Sequence, residues 1–536
     1  MRKLLSILLC FTIVIQLFSA NAYSIDNNLS DDLIPEKSLF QVMLEVDIGD
    51  DLKQVGYSPR VEGVANDGPQ SFAIDRNFLY ILDTLNKKIL VFDDFEWLKN
   101  IDISVCSYAR DILASDNKLY ILDETNVIFK MDTSGKILEI KNLPEEIEAY
   151  QVTKASLNKD GNVMLYCRGY EYVENDSEWD LVEGIDVEIN SNKAKIKKEK
   201  NTKDNFIEIN FIEKTGGINV IGQDKYGNSY IEVIDDVPDS SLVLIETTLR
   251  KYDKSGKLTS IARIPIEDYY NYPHRFFNVT EDGEVYIMAL MENHVEINKI
   301  ALGKMYDSRM NELKKKAEIF NNKSLLNVEA DITPYADPTF PTRSDVQKRA
   351  DAMINLIWSY KSTNTVNPNT KTVTKPSHLA AVTSFPSTQV GIPYCWGGFD
   401  GIDRSSSSSW SSFTGAMAAN QFAGNVNCDA LLYRSPGTAG VDCSGFVSAA
   451  LGLTSKYNTS GLYNNIGVIK TTSPLNMDFY VVPGWHILFF SSWTDSTTTT
   501  INSKESTTDG TKQAAKNWTR TKNYLSTNGY TLKTVW

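Results

Sequence analysis

Residues 441–447 read Val-Asp-Cys-Ser-Gly-Phe-Val, and His486 follows within Pro-Gly-Trp-His-Ile-Leu-Phe-Phe. A cysteine attacks as its thiolate, and a helix N-terminus favours that anion. Asp442 is a good N-cap, which puts Cys443 in the first helical turn. Phe446, Val447, Ala449, Ala450 and Leu451 give the helix an apolar body, and Gly452 is a stop. Ser444 and Gly445 are small, so other backbone can approach the thiol closely. His486 lies in an apolar run that reads as a strand, from which an imidazole can serve the thiol as a base.

These residues need a scaffold, and the chain has room for more than one. Its 536 residues exceed one ordinary domain, and 42% hydrophobic with 23% charged residues describes globular material. Residues 1–22 read as a secretory signal. Arg2 and Lys3 precede the apolar run Leu4 to Phe18, and Ala20-Asn21-Ala22 is a cleavage site. The run is short for a membrane span, so the expectation is an exported protein, secreted or wall-associated, with no integral membrane segment after cleavage. Five cysteines remain: Cys106, Cys167, Cys395, Cys428 and Cys443. That is too few for a disulfide scaffold, and an odd count leaves at least one free thiol. Cys395 and Cys428 are open to bridging or to a reduced state. No spacing suits zinc, so no metal and no cofactor are expected.

The net charge of −14 is unevenly divided. Residues 340–536 hold 16 Lys+Arg against 10 Asp+Glu, a net of +6, which leaves −20 for residues 1–339. A basic C-terminal region suits an anionic polymer such as a cell wall. Nothing resembles a nucleic-acid module.

Residues 40–303 carry an approximate repeat. Leu79-Tyr80-Ile81-Leu82-Asp83 returns as Leu119-Tyr120-Ile121-Leu122-Asp123, 40 residues on. Weaker copies lie at Asn162–Tyr166, Asn228–Val233 and Glu284–Met288, each behind an Asp-Gly or Tyr-Gly turn. This period with short alternating strands predicts an all-β propeller of five or six blades. Gly68–Asp75 leading to Tyr80–Ile89 resembles the NHL class of propeller repeat. Tyr172–Asp204 reads as a charged insertion. Residues 304–341 are expected to be a helix, Met305–Lys323, and an extended linker, Asn322–Thr339. Ser344 is expected to cap a helix burying Val346, Ala350, Met353, Ile354 and Ile357 on one face. Lys361–Ser377 reads as a loop, and His378 as a surface residue.

Residues 342–536 resemble the NlpC-type, papain-like cysteine peptidases of the bacterial cell wall. The resemblance rests on four motifs in family order: Gly391-Ile392-Pro393-Tyr394-Cys395-Trp396-Gly397-Gly398, the Cys443 segment, Asp478-Phe479 where Gly-Asp is usual, and the His486 strand. It implies an α+β domain, with the cysteine helix packed on an antiparallel sheet that carries the histidine. It also implies a Cys443–His486 pair that cleaves an amide in peptidoglycan stem peptides. Asp442, Ser444, Tyr394, Trp396 and Trp485 are then the cleft residues. The family's usual third residue, a His, Asn or Gln on the next strand, is missing. Ile501-Asn502-Ser503-Lys504-Glu505-Ser506-Thr507 resembles a variant that puts Glu505 in that role, with Asn502 as the other candidate. A carboxylate there would accept the imidazole N–H and stabilise its cation. The propeller would bind a protein or glycan. Two alternatives remain open: a propeller-based binding protein with a degenerate hydrolase domain, or a cysteine amidase or acyltransferase acting on another amide.

Overall fold

The computed structural model describes residues 39–536, apart from 59–66, 159, 168, 176–177, 184–186, 191, 198–205, 303–307, 330–339, 367–372 and 429–433. The signal-like segment and the second part of the expected linker lie outside the described residues.

The N-terminal region is a β-propeller. Four antiparallel strands, Ser71–Asp75, Phe78–Asp83, Lys88–Asp93 and Glu96–Asp102, form one blade. Ala109–Ser115 to Ile137–Asn142, Val152–Leu157 to Trp179–Glu183, and Lys214–Gln223 to Leu258–Ile264 form three more. The last blade joins Phe277–Val279, Val285–Leu290 and His294–Ile300 to the first strand of the chain, Phe40–Asp47. That pairing ties the two ends of the region into one sheet and closes the ring.

Among the described residues there are thus five four-stranded blades. The expected insertion is not a separate excursion. Tyr170–Glu174 and Trp179–Glu183 are blade strands, and Val187–Ile189, Lys193–Lys197 and Phe206–Asn210 make a three-stranded sheet. Its Ala194, Ile196, Ile207 and Ile209 pack with Ile218, Ile231 and Val233 of the fourth blade. Lys154 Nζ donates to the Val220 carbonyl at 2.8 Å, bridging the first strands of the third and fourth blades. The extra sheet therefore packs on the fourth blade, and its first strand reaches an inner cavity through Val187.

The repeated aspartates explain the period. Asp83 is fully buried and accepts from Gly56 N at 3.0 Å and Asn86 N at 3.1 Å. Asp123, also fully buried, accepts from Tyr108 N at 2.9 Å and Thr125 N at 3.1 Å. Each carboxylate fastens loop backbone at its own blade's rim, where an unsatisfied N–H would be costly.

The helix expected at Met305–Lys323 spans Met310–Glu329, so its end runs into the stretch read as extended. Further on, the helix Arg343–Ile354 is capped by Thr342, not Ser344: the Thr342 hydroxyl accepts from Asp345 N at 3.2 Å. Val346, Ala350, Met353 and Ile354 are buried as their spacing requires. Ile357 is not; it opens the strand Ile357–Tyr360 and is 71% exposed. The expected loop Lys361–Ser377 follows this strand directly and contains a short 3-10 turn, Ser362–Thr365.

A six-stranded sheet follows, in the order Val468–Ile469, Thr531–Thr534, Phe479–Val482, His486–Trp493, Thr500–Thr507, Ala514–Thr521. Its strands pair antiparallel throughout. One face packs on the helix Cys443–Ala450, where Phe446 meets Phe489 edge-on with centroids 6.2 Å apart. The other face meets the propeller. Lys522 pairs with Asp236 at 2.8 Å, Asn523 donates to Glu232 at 2.8 Å, and Leu532 N donates to the Ser241 carbonyl at 2.8 Å. Tyr150 stacks on Trp518 at 6.3 Å. The two regions are thus knitted by more than a linker. Among the described residues no helix is long and apolar enough to cross a membrane.

Candidate active site

Asp442 organises the cysteine. Its Oδ1 accepts from Gly445 N at 2.6 Å and from the Ser444 hydroxyl at 3.0 Å, which caps the helix as its sequence predicts. Its Oδ2 accepts from Gly397 N at 2.9 Å and pairs with Lys456 at 2.8 Å. One carboxylate therefore joins the first motif to the second. Gly445 has no substitute, since a Cβ there would collide with the Gly398 carbonyl oxygen. Tyr394 is fully buried and bridges to Val441. Burial pushes its phenol far up, and the neighbouring Cys443 and Asp442 charges add to that. Trp396 is half-buried, its N–H bonded to the Asn425 carbonyl at 2.8 Å. Cys443 itself is buried.

His486 opens its strand and is fully buried. Its Nε2 meets Glu505 Oε2 at 2.8 Å. Glu505, also fully buried, accepts from the Ser503 hydroxyl at 2.6 Å and from Arg520 Nε and Nη2 at 3.2 and 2.8 Å. Burial alone would raise the Glu505 pKa. The Arg520 guanidinium and the His486 hydrogen bond overturn that and hold it well below the usual carboxylate range. Arg520 also pairs with Asp509 at 2.5 Å. Burial works against the guanidinium charge, and the two carboxylates more than offset it. The result is a chain from imidazole to carboxylate to guanidinium to carboxylate.

Strand alternation decides which side this chain occupies. Ile487 and Phe489 pack with Phe446 and Cys443. Leu488 and Phe490 belong to a second cluster with Tyr524 and Tyr530. His486 shares the parity of Leu488, and Arg520 pairs across from Ile501, two and four residues before Ser503 and Glu505. The His486 Nδ1 atom is buried without a hydrogen-bond partner, so the Cys443 thiol is not bonded to it in this state. The structure thus brings His486, Glu505 and Arg520 together.

Other expected site residues are distributed differently. Asn502 donates to the Ser492 hydroxyl at 3.0 Å, away from the imidazole. Trp485, expected in the cleft, is buried against Tyr524 and Tyr530 at centroid distances of 6.4 and 5.7 Å. A large ring beside a strand start is taken up by the core when aromatic neighbours are available. Asp478 is fully buried and holds Arg343 and Lys470, each at 2.7 Å, so it locks the sheet edge. His378 is not a simple surface residue. Both ring nitrogens are buried without partners, and burial with Lys512 and Lys516 nearby pushes its pKa down to about 3. All five described cysteines are free, so Cys395 and Cys428 are not bridged. Burial pushes the Cys106 and Cys395 thiols up to about 12. Cys106 lies in the loop before Ala109, not in a strand.

Arg520 and Asp509 were missed in the sequence. The signal was present. A fully buried Glu505 requires a cation, and the strand after it offers basic residues at the matching parity, Lys516 and Arg520.

No family model matches this chain, and no curated protein does. Among solved structures it is similar to a DUF4221 member from Bacteroides vulgatus, at 10% identity over 49% of this chain and 98% of that one, with TM-score 0.33. It is similar to virginiamycin B lyase from Staphylococcus aureus at 10% identity, 49% and 100% coverage, and TM-score 0.31. The WD40 propeller domain of Doa1 matches at 11% identity, 48% and 93% coverage, and TM-score 0.27.

Proposed function

We propose that the C-terminal region is a thiol-dependent amide hydrolase acting on peptidoglycan stem peptides, carried by a propeller that binds a surface ligand on an exported protein. One observation carries this reading: the fully buried Glu505 is hydrogen-bonded to the His486 imidazole and kept anionic by Arg520. An anion fixed behind an imidazole stabilises its cation, which is the form that must accompany a thiolate. In this mechanism His486 Nδ1 takes the Cys443 proton, and the thiolate adds to the amide carbonyl. The backbone N–H of Cys443, at the helix start, faces the oxyanion. The imidazolium then protonates the leaving amine, and water releases the acyl group. This requires His486, the first residue of its strand, to turn its Nδ1 toward the thiol on the helix-covered side of the sheet in the substrate complex.

The second reading is a binding protein whose hydrolase domain is silent. The absence of the family's usual His, Asn or Gln from the third position, and Asp478-Phe479 in place of Gly-Asp, favour it. Incubating the full chain with purified cell wall separates the two. The hydrolase reading expects new amine termini that disappear in Cys443→Ala and in His486→Ala. Amine release that persists in Cys443→Ala, or no release with intact binding, overturns it. Brief iodoacetamide treatment gives an independent check. Cys443 should be alkylated before Cys106 and Cys395, whose thiols are held protonated. Equal labelling of the three would count against an activated Cys443.

A further inference from the structure

Between the propeller's inner strands and the C-terminal sheet lies a cavity of about 270 Å³. This is close to the lower end, about 300 Å³, of the range typical of small-molecule sites. Its wall is composite. Tyr150 and Tyr166 come from the propeller and Trp518 from the sheet, and Tyr150 and Trp518 stack.

Among the described residues, Lys154 and Asp67 in this wall make no salt bridge. Lys154 Nζ donates to the Val220 carbonyl and lies 5.1 Å above the Tyr166 ring, and among the described residues it pairs with no carboxylate. Burial and the nearby Arg275 push its pKa down to about 8, with the Glu171 carboxylate acting the other way. Asp67 accepts from the Tyr108 hydroxyl at 2.6 Å, from Gly68 N at 2.9 Å and from Gln70, and among the described residues it pairs with no cation. Burial and Asp509 push it up to about 7. An unpaired buried charge is costly, and a protein retains one where something else supplies the partner. Here one cavity offers a half-buried cation and a buried carboxylate, neither of them in a salt bridge among the described residues.

We propose that this cavity binds a small zwitterion of the amino-acid or dipeptide class, its carboxylate on Lys154 and its ammonium group on Asp67. Either charge alone would leave the other wall group unmatched, so the site discriminates by requiring both. The aromatic walls take the carbon skeleton. The proposal does not rest on the hydrolase reading, because neither Cys443 nor His486 lines the cavity.

The test is calorimetric titration of the full chain with alanine, alanyl-alanine and 4-aminobutyrate. N-acetyl and C-amide derivatives of each serve as probes lacking one charge. At least one uncapped probe should bind with one-to-one stoichiometry, and either cap should weaken it about tenfold or more. Lys154→Met should abolish the preference for a free carboxylate, and Asp67→Asn the preference for a free amine. The proposal is overturned if no uncapped probe binds, if capped probes bind equally, or if the variants keep both preferences. The capped series uses the unaltered chain, so a variant that fails to fold does not remove the test.

Discussion

Asp83 and Glu505 are both fully buried carboxylates, yet their surroundings drive them in opposite directions. Asp83 sits at a blade rim. Burial raises its pKa more than backbone donors from Asn86 and Gly56 lower it, and Lys88 is 3.9 Å away. Glu505 sits behind an imidazole with a guanidinium in direct contact. Neutral dipoles satisfy the first, and a formal cation fixes the second as an anion. The blade aspartate needs only to shape a loop, whereas the sheet glutamate is positioned to steady a charge on His486.

The largest effect should come from removing the cation. Arg520→Met leaves Glu505 and Asp509 buried without it, and breaking such a pair costs roughly 3–5 kcal/mol. Urea melts of the full chain should show it. A loss below about 1 kcal/mol, the level of an exposed ion pair, would erase the contrast with Asp83.

Glu505→Gln should come next, and mainly in turnover. It keeps the shape and removes the charge, so amine release should fall on the order of ten- to a hundredfold, since thiolate pairs depend on the orienting anion less than serine does. Asn502→Ala should be nearly silent because its side chain serves Ser492. The reverse pattern would mean that the hydrogen bond to His486 is structural only.

The pH dependence sharpens the same comparison through its sign. Glu505 is depressed, so its contribution to stability is full above its unfolded value of about 4.3 and is lost as pH falls toward the folded value. Asp67 is raised to about 7. Its contribution is full below about 3.9 and is lost as pH rises through 7. Melting temperatures between pH 4 and pH 8 should therefore fall on the account of Asp67, and Asp67→Asn should flatten that slope. A slope unchanged in the variant would assign the titration elsewhere.

The smallest effect is expected at the rim. Asp83→Asn keeps one acceptor oxygen, so either the Gly56 N bond to Oδ2 or the Asn86 N bond to Oδ1 is lost, and it should cost about 1 kcal/mol, the scale of one hydrogen bond. A loss as large as that of Arg520→Met would show that the blade carboxylate is not merely a loop fastener.

Local chemistry was legible wherever a residue's role depended on its chain neighbours. Asp442 caps the Cys443 helix because the cap bond spans three residues. The Leu-Tyr-Ile-Leu-Asp copies are blade strands because alternation and the terminal aspartate recur together. A second repeat, Asp132-Thr133-Ser134-Gly135-Lys136 and Asp253-Lys254-Ser255-Gly256-Lys257, was equally readable. In both copies the aspartate accepts from the Ser and Lys backbone, and the glycine takes a positive φ, 91° and 87°. Thr342 replaced Ser344 as a cap because both are good cap residues, and only the packing of the helix sets where it starts.

What the sequence by itself determined is the set of reactive groups and their local frames: a capped cysteine, a strand histidine, and a glutamate at a parity from which it can reach that histidine. The tertiary structure alone decided what those groups face. Glu505 acquires its charge state from Arg520 on the next strand, Trp485 is drawn into a tyrosine cluster, and the propeller closes against the sheet to place Lys154 and Asp67 in the wall of one cavity. Caps and periods act over a few residues, whereas desolvation and charge pairing depend on every segment that folds nearby, however distant in sequence.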